Sequence, residues 1–188
     1  MASFFNFQLN IKGFYDKINP VMIMDKPRRK QIRLKNYDYS SSGYYFVTIC
    51  SYNRKPIFSK IVGQGLAPAE TELTLYGKIA QKQLLDLENR FKGIKIDKYI
   101  IMPNHIHIIV VINKTEAGAS PCPTLSDVIC AFKSLTVREC SAALSHQKLF
   151  QASFHDHIIR GEKDYEKIWQ YIDSNASKWI EDCFYVGE

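Results

Sequence analysis

Residues 94–112 read IKIDKYIIMPNHIHIIVVI, and this stretch decides the fold. It contains two runs rich in β-branched residues, Ile94–Met102 and His105–Ile112, which are separated by Pro103 and Asn104. Runs of this length and composition are typical of strands, and a Pro-Asn pair favours a tight turn. The stretch therefore predicts an antiparallel β-hairpin in the middle of the chain.

The segments on either side of this hairpin predict the remaining elements. They are a strand at Tyr44–Ser51, a helix at about Leu75–Phe91 with Thr74 as its N-cap, a loop at 113–123, a helix beginning after Thr124, an extended segment at 149–160 and a final helix at about Lys163–Cys183. The order β–α–β–β–α–β–α is that of an α+β protein. We expect a ferredoxin-like antiparallel sheet with helices on one face and a further, C-terminal helix that carries Tyr171.

Apolar periodicity predicts the buried side of the two later helices. In the helix after Thr124 the buried stripe is expected to consist of Leu125, Val128, Ile129, Phe132 and Leu135. In the final helix it is expected to consist of Tyr165, Trp169, Ile172, Ala176 and Trp179. Both sets return every three or four residues, as one face of an α-helix does.

Positive charge is concentrated near the N-terminus. The chain has 188 residues and a formal net charge of +6. Between residues 26 and 35 there is no acidic residue, and the basic ones are Lys26, Arg28, Arg29, Lys30, Arg33 and Lys35. We interpret 1–33 as a basic arm and 34–188 as one domain. Met22 and Met24 leave open a second interpretation, in which translation begins at one of them.

Composition excludes several classes of protein. The five cysteines form no C-x-x-C pair and their number is odd, which argues against a disulfide framework and against a cysteine zinc site. No apolar run approaches the roughly 20 residues that span a bilayer, and the N-terminus does not resemble a signal peptide. We therefore expect a cytoplasmic protein with no membrane partner.

The triplet His105-Ile106-His107 is a candidate metal site. Residues two apart on a strand face the same way and lie roughly 6.6 Å apart along the chain. Both imidazoles can therefore approach one ion, while Ile106 points into the opposite core. The alternative is a pair of histidines on a polar sheet face that binds no metal.

Tyr171 and Asn175 form a second candidate feature. They lie four residues apart in the predicted final helix, so they are neighbours on its surface. Asparagine offers an oxygen as a third ligand for an ion held by two imidazoles. A phenol with a pKa near 10 is a poor nucleophile unaided, and a metal that polarises a phosphodiester oxygen would offset this. The alternative is an ordinary helical tyrosine above a polar asparagine.

Together these features resemble a known family, the HUH-type single-tyrosine transposases of insertion sequences, and within it the REP-associated tyrosine transposases. "HUH" stands for histidine, a hydrophobic residue and histidine. The stretches that carry the resemblance are Leu73–Gly77, Asp97–His107, Phe132–Ser134, Phe154–Arg160 and Tyr171–Asn175. The triplet alone is weakly specific, whereas its combination with F-x-D-H-x-I-R and with a C-terminal Y-I-x-x-N is strongly specific. Here the former reads Phe154-His155-Asp156-His157-Ile158-Ile159-Arg160.

The resemblance implies a mechanism and a substrate. A tyrosine attacks a phosphate of single-stranded DNA, which forms a 5′-phosphotyrosine link and frees a 3′-hydroxyl. By position, Tyr171 corresponds to that nucleophile, and His105, His107 and Asn175 correspond to the ligands of a divalent ion, Mg²⁺ or Mn²⁺. The expected partner is single-stranded DNA with hairpin or palindromic ends, bound by a monomer or homodimer. The alternative is a domesticated nucleic-acid-binding module of the same fold that no longer transposes.

One residue departs from the family pattern. Many relatives have proline after the asparagine of Y-I-x-x-N, and this chain has Ala176 there. Proline would kink or end the helix. Alanine predicts that the helix continues to Trp179.

Other basic and histidine residues are candidates for DNA contact. In the arm these are Arg28, Arg29, Lys30 and Arg33, which would bind phosphates or form a solvated tail. Lys133 and Arg160 are further candidate phosphate contacts. The second triplet, His155-Asp156-His157, is expected to support structure, to orient the site or to touch DNA rather than to bind the metal.

Overall fold

The computed structural model describes residues 37–63, 69–117, 122–141 and 148–185. The basic arm predicted at 1–33, including Arg28, Arg29, Lys30 and Arg33, lies outside the described residues, as do both alternative start methionines.

In the described part of the chain, six strands form two sheets. The strands are β1 (Gly43–Cys50), β2 (Ser59–Val62), β3 (Glu70–Leu73), β4 (Ile94–Ile101), β5 (His105–Ile112) and β6 (His155–Ile159). The main sheet has the order β4-β5-β1-β6, and every neighbouring pair in it is antiparallel. This is the strand order of the β–α–β–β–α–β connection, and the predicted hairpin is confirmed as β4 and β5.

The small sheet was not predicted from the sequence. Strands β2 and β3 pair antiparallel, with Ser59 opposite Leu73. Each strand has four residues, and the second has three polar residues before Leu73, so neither produces a distinctive apolar period. The Ser59 hydroxyl donates a hydrogen bond of 2.9 Å to the carbonyl oxygen of Ile101, which ties this hairpin to the end of β4.

The described residues also form five α-helices: α1 (Leu75–Leu85), α2 (Leu87–Arg90), α3 (Lys114–Ala117), α4 (Leu125–Cys140) and α5 (Glu162–Ser174), the last of which follows the final strand. Thr74 caps α1 as predicted, since its hydroxyl accepts from the amide of Gly77. The single helix predicted to Phe91 is instead divided at Asp86, whose amide donates to two carbonyls of α1. The short helix α3 lies in a segment predicted to be a loop.

The main core lies between one face of the large sheet and helices α1 and α4. Alternate residues of the two central strands enter it: Tyr45, Val47 and Ile49 from β1, and Ile106, Ile108, Val110 and Ile112 from β5. In α4, Leu125, Val128, Ile129 and Phe132 are buried as predicted, whereas Leu135 is half-buried and Thr136 is buried. Thr124 and Asp127 form a reciprocal capping box at the start of α4.

Helix α5 packs on the opposite face of the sheet. Ile168 and Ile172 form a second, smaller core there with Phe46 and Ile109. The prediction that Trp169 is buried is wrong, because its side chain is 38% exposed and Lys98 lies 3.6 Å above its ring. The buried side of α5 instead follows Tyr165, Ile168 and Ile172, which are three and four residues apart.

The end of α5 also differs from the prediction. The helix ends at Ser174 rather than at Cys183, and the chain continues through turns into a 3-10 helix at Trp179–Glu181. Ala176 and Trp179 are buried as predicted, but outside the helix. The amide of Asn175 bonds to the carbonyl of Ile172, three residues back, so the helix tightens and stops without a proline. Among the described residues, no helix is both long and apolar enough to cross a membrane.

Candidate functional site

Strand pairing places His105 and His107 side by side on the face of the sheet that α5 covers. In β1 their partners are Cys50 and Thr48, which point to the same face. The two imidazole rings are 4.4 Å apart between centroids, and both side chains are fully buried. Ile106, between them, lies in the main core as the alternation predicts.

The hydrogen bonds of His105 determine its tautomer. Its Nδ1 lies 2.9 Å from Oδ1 of Asn104, while Nδ2 of Asn104 donates to the carbonyl of Phe184 at 2.7 Å. Because an amide oxygen only accepts, Nδ1 of His105 carries the proton and donates. Its Nε2 is buried and has no hydrogen-bond partner among the described residues. The lone pair on Nε2 is therefore available to a metal ion.

His107 lies between a threonine and a tyrosine. Its Nδ1 is 2.9 Å from the hydroxyl of Thr48, and its Nε2 is 3.3 Å from the hydroxyl of Tyr171. A hydroxyl can accept as well as donate, so Nδ1 of His107 can donate to Thr48 and leave the lone pair on Nε2. The rings of Phe46 and Tyr171 lie 5.2 Å from the His107 ring.

Burial keeps both histidines neutral. It lowers the pKa of His105 to about 3, and the nearby charge of Arg54 acts in the same direction. Burial, followed by the effect of His105, also holds the pKa of His107 well below its usual range. Since metals bind the neutral imidazole, neither ligand must lose a proton near pH 7.

The turns after α5 bring a carboxylate to the two histidines. Asp182 is only 9% exposed. Ligand atoms of His105, His107 and Asp182 all lie within 4.8 Å of one another. No sequence motif pointed to Asp182, because it was expected to lie within a continuous helix that would have carried it away from Tyr171.

Asp182 also joins Tyr171 to Asn175. Its Oδ2 accepts from the Tyr171 hydroxyl at 3.3 Å and from Nδ2 of Asn175 at 2.9 Å. Because a carboxylate only accepts, the Asn175 nitrogen must face Asp182. The Asn175 Oδ1 is then left buried and without a hydrogen-bond partner among the described residues.

These atoms fit a divalent cation. The site offers imidazole nitrogens from His105 and His107 and oxygens from Asn175 and Asp182. Two of the four, His105 Nε2 and Asn175 Oδ1, are buried polar atoms with no other partner in the described part of the chain. Buried polar groups are costly unless they are bonded. A mixed set of nitrogen and oxygen donors suits a divalent ion of intermediate softness.

Comparison with known proteins places the chain in a family. No family model matches it. An uncharacterized protein of Haemophilus influenzae is 31% identical over 176 residues, which are 84% of this chain and 93% of that protein. The chain belongs to the same family as this protein.

Solved structures show the fold. The structure of a REP-associated tyrosine transposase bound to a REP hairpin is similar with a TM-score of 0.52 and 19% identity, over 79% of this chain and 70% of that one. A candidate transposase of Deinococcus radiodurans has a TM-score of 0.43 and 18% identity, over 75% of this chain and 96% of that one. The first match confirms, at the level of the fold, the resemblance to REP-associated tyrosine transposases that the sequence motifs predict.

Within this transposase fold, the second triplet lies on the same face as the first. His155 pairs with Thr48 and His157 with Phe46, so both histidines point toward α5. The His157 side chain is 46% exposed, and its Nε2 lies 2.9 Å from Oδ2 of Asp164. Neither histidine belongs to the metal-ligand cluster identified among the described residues.

Lys133 and Arg160 occupy different environments in this fold. The Lys133 ammonium donates to the carbonyls of Gln151, at 2.7 Å, and Ser153, at 2.8 Å, and burial lowers its pKa to about 8. These bonds hold the segment before β6. Arg160 follows β6 and is exposed, and its backbone amide donates to Asp164.

Proposed function

We propose that this protein is a metal-dependent single-stranded DNA endonuclease and strand transferase, a transposase that cleaves through a 5′-phosphotyrosine link. The observation that carries this proposal is the position of the Tyr171 hydroxyl, 3.3 Å from both His107 Nε2 and Asp182 Oδ2. A phenol next to a cluster of metal ligands has the arrangement that nucleophilic attack on phosphorus requires.

His105, His107 and Asn175 would hold the ion, and Asp182 adds a carboxylate beside them. We infer Mg²⁺ or Mn²⁺, since both bind carboxylate and amide oxygens and the latter also tolerates imidazole. When bound, such an ion polarises a phosphodiester oxygen and stabilises the charge that develops there. Asn104 and Thr48 support the two histidines from behind through their Nδ1 atoms.

The protein's own residues orient the nucleophile. In the cleavage step Tyr171 Oη attacks phosphorus while its proton passes to the Asp182 carboxylate, the bond from phosphorus to the 3′ oxygen breaks, and the freed 3′ oxygen takes up one proton, so that one proton is released and one is taken up. Attack by a 3′-hydroxyl on the phosphotyrosine reverses these bonds and joins strands without an external energy source. Before attack, the Tyr171 hydroxyl donates to Asp182 Oδ2, and Phe46 packs edge-on against the Tyr171 ring at 6.1 Å.

The proposed substrate is single-stranded DNA that carries a hairpin. The motif resemblance and the fold shared with a hairpin-bound transposase support this choice. The basic residues Arg28, Arg29, Lys30 and Arg33 would add phosphate contacts, and so would the exposed Arg160. A phosphate contact by Lys133 would compete with the two carbonyls that its ammonium already binds.

The test is a covalent adduct. Wild-type protein is incubated with Mn²⁺ and labelled hairpin strands taken from the DNA that flanks its gene, and the products are separated under denaturing conditions. We expect a protein–DNA band in the wild type and none with Tyr171→Phe, which removes only the hydroxyl. Tyr165→Phe is the matched control, because Tyr165 lies in the same helix but donates to Asp97 at 2.6 Å.

Two outcomes would contradict the proposal. An adduct that persists in Tyr171→Phe, or that proteolysis maps to another tyrosine, would mean that the nucleophile is wrong. A wild-type protein that binds these hairpins yet forms no adduct would favour the non-transposing nucleic-acid-binding module.

A further inference from the structure

The turn that follows β1 has an unusual backbone. Asn53 has φ 55° and ψ 24°, and the next residue, Arg54, has φ 54°. Two consecutive residues with side chains rarely adopt the left-handed conformation, because Cβ approaches the backbone too closely. Such conformations persist where the surrounding structure enforces them, and they cluster at ligand sites.

Hydrogen bonds fasten this turn to the strand that carries the first histidine triplet. The amide of Ser51 donates to the carbonyl of Asn104 at 2.8 Å, directly before His105. The hydroxyl of Ser51 donates to the carbonyl of Lys55 at 2.8 Å and closes the turn. The position of Arg54 is therefore fixed relative to the proposed metal ligands.

The Arg54 side chain extends toward those ligands. Its guanidinium carbon lies 5.2 Å from the centre of the Phe184 ring, and that ring lies 4.5 Å from the His105 ring. Phe184 thus contacts both the guanidinium and the histidine. The charge of Arg54 acts on the triplets as well, because it contributes, after burial, to lowering the pKa of His105 and of His155.

This guanidinium lacks an anionic partner in the described part of the chain. No carboxylate there lies within 4.0 Å of it, and no hydrogen bond from it is found there. The residue is half-buried, so water solvates the charge only in part. A partly desolvated cation is stabilised by an anion with several oxygen acceptors.

We propose that Arg54 binds a backbone phosphate of single-stranded DNA beside the phosphate that Tyr171 attacks. This inference rests on the proposed function and adds a phosphodiester subsite to it. A planar guanidinium offers two parallel N–H donors to two phosphate oxygens, which a lysine ammonium does not. Since Arg54 contacts Phe184, which in turn contacts His105, we assign it a neighbouring phosphate rather than the scissile one. The bound strand is thereby held in register with the nucleophile.

The experiment measures binding rather than cleavage. All variants carry Tyr171→Phe, EDTA is present, and the probe is the fluorescent hairpin strand from the DNA that flanks the gene. We expect Arg54→Gln to weaken binding by about 10-fold to 100-fold, as for a hydrogen bond to a charged group, and to reduce the log–log salt slope by about 0.7. Arg54→Lys should restore the slope but only part of the affinity.

A charge-matched control is Arg90→Gln in α2. Arg90 is paired with Asp86 at 2.7 Å, so its replacement removes the same formal charge without disturbing the turn. We expect its affinity for the hairpin to remain within about twofold of the parent. Thermal unfolding of each variant verifies that the fold is retained.

A methylphosphonate scan locates the contact. Single uncharged phosphates are introduced, one at a time, on either side of the cleavage position. We expect one position, adjacent to the scissile phosphate, to weaken binding of the parent but to have no further effect in Arg54→Gln. If every position weakens both proteins by the same factor, or if Arg54→Gln binds like Arg90→Gln, the proposal is wrong.

Failure of this inference is distinguishable from failure of the proposed function. If the wild type forms the Tyr171 adduct and Arg54→Gln binds normally, only the subsite is refuted. If the wild type binds no flanking hairpin, both are refuted.

Discussion

Two histidine triplets of the same spacing lie on the same face of one sheet, yet they occupy different environments. His105 and His107 lie on β5, a central strand, and are fully buried beneath α5 and the chain that follows it. His155 and His157 lie on β6, at the edge of the sheet, and the latter is half-exposed. An H-x-H pattern on a strand therefore does not by itself define a metal site.

The difference arises from what lies above each triplet. The chain after α5 brings Asp182 within 4.8 Å of the ligand atoms of the first triplet, and Asn175 presents an oxygen that has no other partner among the residues the structure describes. Above the second triplet, Asp164 at the start of α5 binds His157 directly. The first arrangement leaves lone pairs for an ion, whereas the second uses a histidine nitrogen in a hydrogen bond at the surface.

The largest effect is expected from removing ligands. His105→Ala or His107→Ala should weaken Mn²⁺ binding by more than about 100-fold, beyond the range typical of losing an outer-shell partner. His155→Ala and His157→Ala should change it by less than about twofold. Calorimetric titration with Mn²⁺ measures the affinity of all four variants, and circular dichroism verifies that each variant is folded. Equal losses in the two triplets would remove the distinction between them.

Asn104→Ala should give the next largest effect. Without the Asn104 oxygen, His105 is no longer held in the tautomer that leaves Nε2 free, and Mn²⁺ affinity should fall by about 10-fold to 100-fold. Asn104→Asp retains the acceptor and should restore most of the affinity. The counterpart at the second triplet, Asp164→Ala, should leave the affinity unchanged. If Asn104→Asp is as weak as Asn104→Ala, the residue acts through the Phe184 carbonyl instead.

Acid should destabilise the metal-free protein through the first triplet. Burial lowers the pKa of His105 to about 3 and that of His107 well below its usual value. Between pH 6.5 and 5, these histidines therefore bind protons in the unfolded chain but stay neutral in the folded chain. The free energy of unfolding consequently falls as the pH falls. Each histidine contributes up to about 1.4 kcal/mol per pH unit.

Urea unfolding in EDTA at several pH values measures this slope. The double variant His105→Ala with His107→Ala should show a clearly flatter dependence than the wild type over the same range. If the double variant has the same slope as the wild type, the two imidazoles do not contribute to the pH dependence of the free energy of unfolding.

The smallest effect is expected at the surface pair. His157→Ala removes a contact of 2.9 Å to Asp164, in which the histidine side chain is 46% exposed. Exposed ion pairs contribute little, so the free energy of unfolding should change by less than about 1 kcal/mol. Chemical denaturation at pH 7 measures it. If the free energy of unfolding falls by more than about 3 kcal/mol, the edge triplet contributes to the stability of the core.

Local sequence patterns predicted much of the fold. The hairpin of β4 and β5, strand β1 and the capped starts of α1 and α4 depend on residues close to one another in the chain, such as Thr124 with Asp127. The alternation that buries Ile106 and places both neighbouring histidines on one face is also a local property of a strand. The pairing of β2 with β3 was not predicted, because both strands are short and lack a distinctive apolar period.

The sequence by itself determined the candidate residues His105, His107, Tyr171 and Asn175, because motif spacing and strand or helix period are local. Only the tertiary structure decided that α5 ends at Ser174 and that the chain turns back to bring Asp182 to Tyr171. It also decided that Phe184 contacts both Arg54 and His105. These contacts join segments that are distant in sequence. They depend on which buried groups meet in the folded chain, and the local spacing of residues carries no information about this.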